Sequence, residues 1–96
     1  MIRVRQTRRY KKWYDELRDH RAKARIDTRI RRLELGNPGD VKPVGRGVHE
    51  LRISYGPGYR VYFAYQDQTV VLLLCGGNKS TQQSDIKQAK ELAKEI

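Results

Sequence analysis

The stretch "ELRISYGPGYRVYF", residues 50–63, decides the fold. Its alternation places Leu51, Ile53, Val61 and Phe63 on one side, and Glu50, Arg52, Ser54, Arg60 and Tyr62 on the other, with Ala64 following them. The apolar side must be core. A turn through Gly56, Pro57 and Gly58, with Tyr55 opposite Tyr59, sets Ile53 against Val61, Arg52 against Tyr62 and Ser54 against Arg60. A slip by one residue would send the apolar set to the wrong face, so pairing that keeps the core also gathers Arg52, Arg60 and Tyr62 on one patch.

Downstream, "TVVLLLC" (residues 69–75) is apolar on both faces, which predicts a central strand with helices covering one side of the sheet. Upstream, "VKPVG" (41–45) supplies a further strand, and glycine-bearing or polar turns join these segments into an antiparallel meander. "MIRVRQ" sets Ile2 and Val4 against Arg3 and Arg5, the pattern of a short edge strand with a charged face.

Two helices lie between. Thr7 offers an N-cap, after which Tyr10, Trp13, Tyr14 and Leu17 recur at helical spacing. "RAKARIDTRIRRLELG" places Ala22, Ile26, Ile30 and Leu33 on one face and stops at Gly36, with Pro38 just beyond. The short "RDHR" connection predicts a helical hairpin. On the second helix, Arg21, Arg25, Arg29 and Arg32 fall three or four apart as a basic ridge. The last segment spaces Ile86, Ala89, Ala93 and Ile96 as a third helical stripe, with Ser80 and Gln83 as its capping box. The expected fold is α+β, a single domain over residues 1–96.

Twenty-one Lys and Arg against 11 Asp and Glu give a formal net charge of +10. Such a charge calls for an anionic partner, and the preponderance of Arg suits phosphate and carboxylate geometry. A single cysteine in the most apolar run excludes a disulfide framework and reads as a buried thiol in a cytoplasmic protein. The longest apolar run is too short for a bilayer, and residues 1–10 lack an apolar signal core.

Two arginines beside a phenol suit a phosphate-and-base surface. Lys79, in the "CGGNKST" turn, sits where two glycines let the chain bring its ammonium toward the same patch. On so basic a chain the same arginines also look like an ordinary solvated face, and spacing leaves both readings open. The ridge of the second helix reads as solvated surface or a docking face rather than chemistry. Tyr10, Trp13 and Tyr14 read as core. His20 and His49 lack a second ligand pattern, so no metal site is expected, and Cys75 lacks the partners of a nucleophile.

With "RIRRLELGNPGDVKPVGRGVHELRI" upstream and "VVLLLCGGNKSTQQSDI" downstream, the chain resembles the phage Gp49-like, HigB-like branch of the RelE/ParE toxin superfamily over nearly its whole length. The resemblance implies a curved antiparallel sheet with an N-terminal helical hairpin and a C-terminal helix. It also implies the toxin of a type II toxin–antitoxin module, a metal-independent, cofactor-free endoribonuclease that cuts messenger RNA on the ribosome. Carried over, Arg60, Arg52 and Lys79 become catalytic and RNA-binding residues, with Tyr62 as a further catalytic candidate. Lys42 and Arg46 extend the RNA-binding surface. The chain has Asp85 near where some relatives place a tyrosine, which leaves the acid and base open among Tyr62, Glu50 and Lys79. The implied partners are the ribosome and messenger RNA, and an adjacently encoded antitoxin with a helix-turn-helix domain, which alone would contact operator DNA. No membrane partner is expected. Arg21, Arg25, Arg29 and Arg32 are the candidate antitoxin dock. A ParE-like inhibitor of DNA gyrase, non-enzymatic, is the alternative, and a plain RNA-binding module a third reading.

Overall fold

A computed structural model describes residues 1–95. The order is β1 (Arg3–Gln6), α1 (Arg8–Glu16), α2 (His20–Glu34), β2 (Val41–Gly45), β3 (Val48–Ile53), β4 (Tyr59–Asp67), β5 (Val70–Gly77), a 3₁₀ turn (Lys79–Thr81) and α3 (Gln82–Ala93). The fold is α+β, with one five-stranded sheet in the order β1-β5-β4-β3-β2.

The helix signals act as their chemistry dictates. Thr7 Oγ1 accepts from the Tyr10 N–H at 3.0 Å, and Asp19 Oδ1 accepts from the Arg21 and Ala22 N–H groups, so α2 starts at His20, inside the expected connection. Gly36 closes α2 at φ 84, a left-handed conformation that glycine adopts without strain. The cap before α3 lies earlier than Ser80 and Gln83. Asn78 Oδ1 accepts from the Ser80 N–H at 2.9 Å, and Thr81 Oγ1 accepts from the Asn78 N–H at 3.3 Å, because the chain makes a 3₁₀ turn before α3 begins. Ile96, assigned to the third stripe by its spacing, lies outside the described residues.

Three features depart from the expected layout. First, β1 pairs with β5 in parallel, Arg3 beside Val70 and Gln6 beside Leu73, so the sheet is not a pure meander. Nothing local fixes that direction: β1 joins the free edge of β5 after the whole chain has intervened, and no hairpin constrains it.

Second, β3 and β4 pair with Arg52 opposite Arg60, Leu51 opposite Val61 and Glu50 opposite Tyr62. Pairing ends at Ile53 and Tyr59 because residues 54–58 form their own turn. In it the Tyr55 N–H donates to the Ile53 carbonyl at 2.9 Å and the Gly58 N–H to the Tyr55 carbonyl at 3.1 Å. Gly56 (φ 56) and Gly58 (φ 78) supply the left-handed positions. The difference from the expected pairing is even, so every side chain keeps its expected face.

Third, both faces of the sheet are covered. On one, Leu51, Ile53, Val61 and Phe63 pack with Tyr10, Ile26 and Leu33 of the two N-terminal helices. On the other, Val48, Tyr62, Ala64, Leu72 and Leu74 pack with Ala89 of α3, flanked by Ile86. Two glycines permit this double cover. Gly76 lies against the Trp13 ring of α1 and Gly77 against the Asp85 carboxylate of α3; a Cβ at either would overlap those groups.

Candidate functional site

The second face is the one that carries charge, and α3 divides it. Under the helix, Glu50 and Tyr62 are cross-strand partners and almost wholly buried, at 1% and 0% exposure. Glu50 Oε2 accepts from Tyr62 Oη at 3.0 Å and from Gln82 Nε2 at 2.8 Å. Tyr62 is therefore a core residue and not part of an open patch. Burial, and then the hydrogen bond to Glu50, raise its pKa far above the ordinary phenol value, so it stays neutral and its hydroxyl donates a hydrogen bond to Glu50.

Arg60 leaves this buried pair and reaches toward solvent. Its Nε stands 3.5 Å from Glu50 Oε2, close enough for ion pairing but without hydrogen-bond geometry; Glu50 Oε1 is also buried without a partner. The Nη1 group donates to the Gly58 carbonyl. The guanidinium is thus anchored from behind by a carboxylate and from the side by a backbone oxygen, with its side chain 12% exposed.

The turn that holds Arg60 also holds Lys79. The Lys79 N–H donates to the Pro57 carbonyl at 3.3 Å, and Lys79 Cβ lies 3.4 Å from where a Gly58 Cβ would be. Below it, Thr81 Oγ1 donates to Asp85 Oδ2, and Asp85 packs on Gly77. Asp85 braces the Lys79 turn against the sheet.

Arg52 stands opposite Arg60, on the same face, and is more open. Its Nη2 and Nε donate to Asp40 Oδ1 at 2.9 and 3.3 Å. That hydrogen bond, with the carboxylate charge, raises the Arg52 pKa. Being exposed, the pair is easily exchanged for another anion. The face therefore carries Arg60 and Arg52 on neighbouring strands, with the Lys79 backbone held at the turn that also holds Arg60; paired guanidinium groups of this kind suit phosphate.

The other nominated residues are dispersed. Lys42 is the cross-strand partner of Glu50, so it shares the face, one pleat along from Arg52. Arg46, at φ 54 in the β2–β3 turn, sits beyond the start of β3 at Val48, which is itself about 14 Å along the strand from Arg52 at some 3.4 Å per residue. The arginines of α2 differ in their surroundings. Arg29 is tied inward, donating to the carbonyls of Pro38, Asp40 and Arg52, and desolvation lowers its pKa. Arg25 lies over the Tyr55 ring at 4.6 Å, while Arg21 and Arg32 remain exposed.

Asp40, Gln82 and the Gly58 carbonyl were not foreseen. Each acts through tertiary contact, and only the two-sided apolarity of β5 hinted that Glu50 would be covered. Among the described residues no cluster of His, Cys, Asp or Glu is arranged to hold a metal, and no helix is long and apolar enough to cross a membrane.

Residues 12–96 match the model of a family described as phage-derived protein Gp49-like. An uncharacterized protein from Haemophilus influenzae is 53% identical over 95 residues, which is 99% of this chain and 96% of that protein. Among solved structures, the intact Escherichia coli RelBE toxin–antitoxin complex contains a chain that superimposes with a TM-score of 0.67 at 17% identity, covering 81% of this chain and 96% of that one. The chain belongs to the phage-derived Gp49-like family and shares its fold with a chain of the RelBE toxin–antitoxin complex.

Proposed function

We propose that this protein is the toxin of a type II toxin–antitoxin pair, and that the face formed by Arg60, Arg52 and Lys79 cleaves messenger RNA held by the ribosome. The observation that carries the reading is the convergence of Arg60 and Lys79 on the 57–58 turn, with Glu50 fixed behind Arg60. Family membership supports it, as does the likeness to a chain of a toxin–antitoxin complex, which also supports an antitoxin partner.

In this reaction the RNA's own 2′-hydroxyl attacks the adjacent phosphorus and the 5′-oxygen of the next nucleotide leaves, giving a 2′,3′-cyclic phosphate and a 5′-hydroxyl. The phosphorane carries extra negative charge. Arg60 and Arg52 stabilise it, each preorganised donor being worth on the order of 3 kcal/mol of barrier. Lys79 protonates the leaving oxygen, and the 2′-hydroxyl proton passes to water. Glu50 and Tyr62, buried beneath α3, hold Arg60 rather than exchange protons with RNA. In-line orientation of the RNA by the ribosome would supply several kcal/mol more. Lys42, and Arg46 farther along β3, contact flanking phosphates.

The test is 5′-end mapping of cellular RNA after induced expression, wild type against Arg60→Ala. New messenger RNA ends with the wild type and none with the variant are expected. Unchanged RNA ends with growth arrest and DNA-damage signalling would overturn the nuclease reading in favour of a gyrase target, and absence of growth arrest would leave neither.

A further inference from the structure

We propose that the pocket between β1, α1 and α2 binds a small, free alkylammonium ion. The pocket has a volume of about 240 Å³. Val4, Ile30 and Leu73 give it apolar surface, and Tyr10, Asp27 and Glu34 give it oxygen atoms. It is smaller than the ~300–1,000 Å³ usual for drug-sized ligands, so its natural occupant is a small ion or molecule.

Two groups in the pocket lack the partners their chemistry calls for. Tyr10 is 4% exposed, yet its hydroxyl makes no hydrogen bond with any of the described residues; outside the helix ladder its sole bond runs from its N–H to Thr7 Oγ1. A buried hydroxyl left unpaired costs free energy, and a ligand that bonds it recovers that cost. Burial, and then the Asp27 charge, raise the Tyr10 pKa far above the ordinary phenol value, so the hydroxyl stays neutral with its lone pairs open to a donor. Asp27 accepts from Tyr14 Oη through Oδ2 at 2.7 Å, but no cationic nitrogen of the described residues comes within ion-pairing distance of it. Lys23 lies instead over the Tyr14 ring at 4.9 Å. Glu34 is shared, 3.6 Å from Arg31. A carboxylate without a cation stands out on a chain of net charge +10.

An ammonium group matches these acceptors. It has three N–H donors and no acceptor, so it can give one hydrogen bond each to Asp27, Tyr10 Oη and Glu34 while its alkyl chain lies on Val4, Ile30 and Leu73. A hard divalent cation fits worse, since it takes roughly six to eight oxygen ligands and the described residues hold no group of three acidic, histidine or cysteine side chains arranged for a metal. An anion would meet two carboxylates. The pocket belongs to the helix-covered face of the sheet, where Tyr10 and Leu73 join the core, across from Arg60 and Glu50. Binding here is thus independent of what the Arg60 face does, and is tested without any nuclease readout.

The probe is n-butylammonium, titrated into the full chain and followed by the nuclear magnetic resonance shifts of backbone amides. Asp27→Asn removes the charge but keeps an acceptor for Tyr14, and Tyr10→Phe removes the orphaned hydroxyl but keeps the ring; neither breaks a bond of the fold. Glu16→Gln, exposed on α1 and outside the pocket, is the charge control. The site predicts saturable shifts at pocket residues, affinity roughly tenfold weaker in Asp27→Asn and several-fold weaker in Tyr10→Phe, and little change in Glu16→Gln. Tyr10→Phe should be no less stable in urea than the wild type, and n-butanol should not bind. Equal losses in Asp27→Asn and Glu16→Gln, undiminished binding to Tyr10→Phe, or a Tyr10→Phe protein destabilised in urea would overturn the proposal. So would displacement of the amine by a lower concentration of Mg²⁺, since the site would then be a metal's, or tighter binding of Nα-acetyl-lysine amide than of n-butylammonium, since the pocket would then receive a lysine side chain and not a free amine.

Discussion

Replacing Glu50 with Ala should be among the most damaging single changes in the molecule, although it removes an acid from a sequence already in excess of base. The carboxylate is 1% exposed and accepts from Tyr62 Oη and Gln82 Nε2. Deleting it leaves the buried Tyr62 hydroxyl unpaired at about 1–3 kcal/mol, and the half-buried Gln82 amide at about 1 kcal/mol. It also removes the opposite charge behind Arg60, whose side chain is 12% exposed. Breaking a fully buried pair costs about 3–5 kcal/mol. Here the cost is smaller, about 1 kcal/mol, because Arg60 Nε sits 3.5 Å away without a hydrogen bond and Nη1 keeps the Gly58 carbonyl. The sum is about 3–5 kcal/mol, a large share of the ~5–15 kcal/mol that stabilises a typical domain.

Urea denaturation followed by circular dichroism measures this directly, with the midpoint falling at constant slope. In a thermal scan the same loss lowers Tm by at least about 12 °C, at roughly 4 °C or more per kcal/mol for a chain of this size. Glu50→Gln keeps one acceptor and should lose only about 1–2 kcal/mol. In a cycle with Tyr62→Phe, the double variant Glu50→Ala/Tyr62→Phe should be less damaged than the sum of the singles by on the order of 1 kcal/mol, because Phe leaves no orphaned hydroxyl. An Ala variant within 1 kcal/mol of wild type, or strict additivity with Tyr62→Phe, would refute the assignment of Glu50 as the anchor of this face.

Two further expectations follow from the close approaches to β5. Gly76→Ala and Gly77→Ala should each destabilise by about 1–3 kcal/mol, measured by the same denaturation, because their Cβ atoms would overlap Trp13 and Asp85; Gly77→Ala should in addition lift the Lys79 turn, visible as faster amide exchange at residues 79–81. Cys75, its thiol pKa pushed up to about 12 by burial and then by the Asp85 charge, should be inert to a thiol reagent in the native protein at neutral pH and react once urea unfolds the chain.

How much of this was written in the sequence depends on the range of the interaction. Local rules were legible: Thr7 caps α1, Gly36 ends α2, and alternation assigned the faces of β3 and β4. Those faces survived an incorrect pairing register because the difference was even, and side-chain direction depends only on parity. The parallel docking of β1 carried no local signal, since strand direction across so long a connection is set by tertiary packing. The position of α3 was half legible. Its stripe of Ile86 and Ala89 showed an apolar side, and "TVVLLLC" showed that β5 needed cover on both faces; one-sided cover ignored the second requirement. The same oversight placed Tyr62 on an open patch when it belongs to the core.

The hairpin turn explains why an arginine, and not merely a cation, stands at position 60. One atom of the side chain faces a buried carboxylate, and another, at a different angle, holds a backbone carbonyl. A planar fork can satisfy both directions and still present an outer edge to solvent; a lysine ammonium is a single point and would have to leave one of them. The turn is fixed in its own right by the Gly58-to-Tyr55 hydrogen bond, and Tyr55 is covered by Arg25 from α2. Through Pro57 it also holds the backbone of Lys79. Arg60 is thus preorganised by groups from three parts of the chain before any anion arrives. Such preorganisation is what distinguishes a site from a merely basic surface, because the donors need not be reordered when charge develops in front of them.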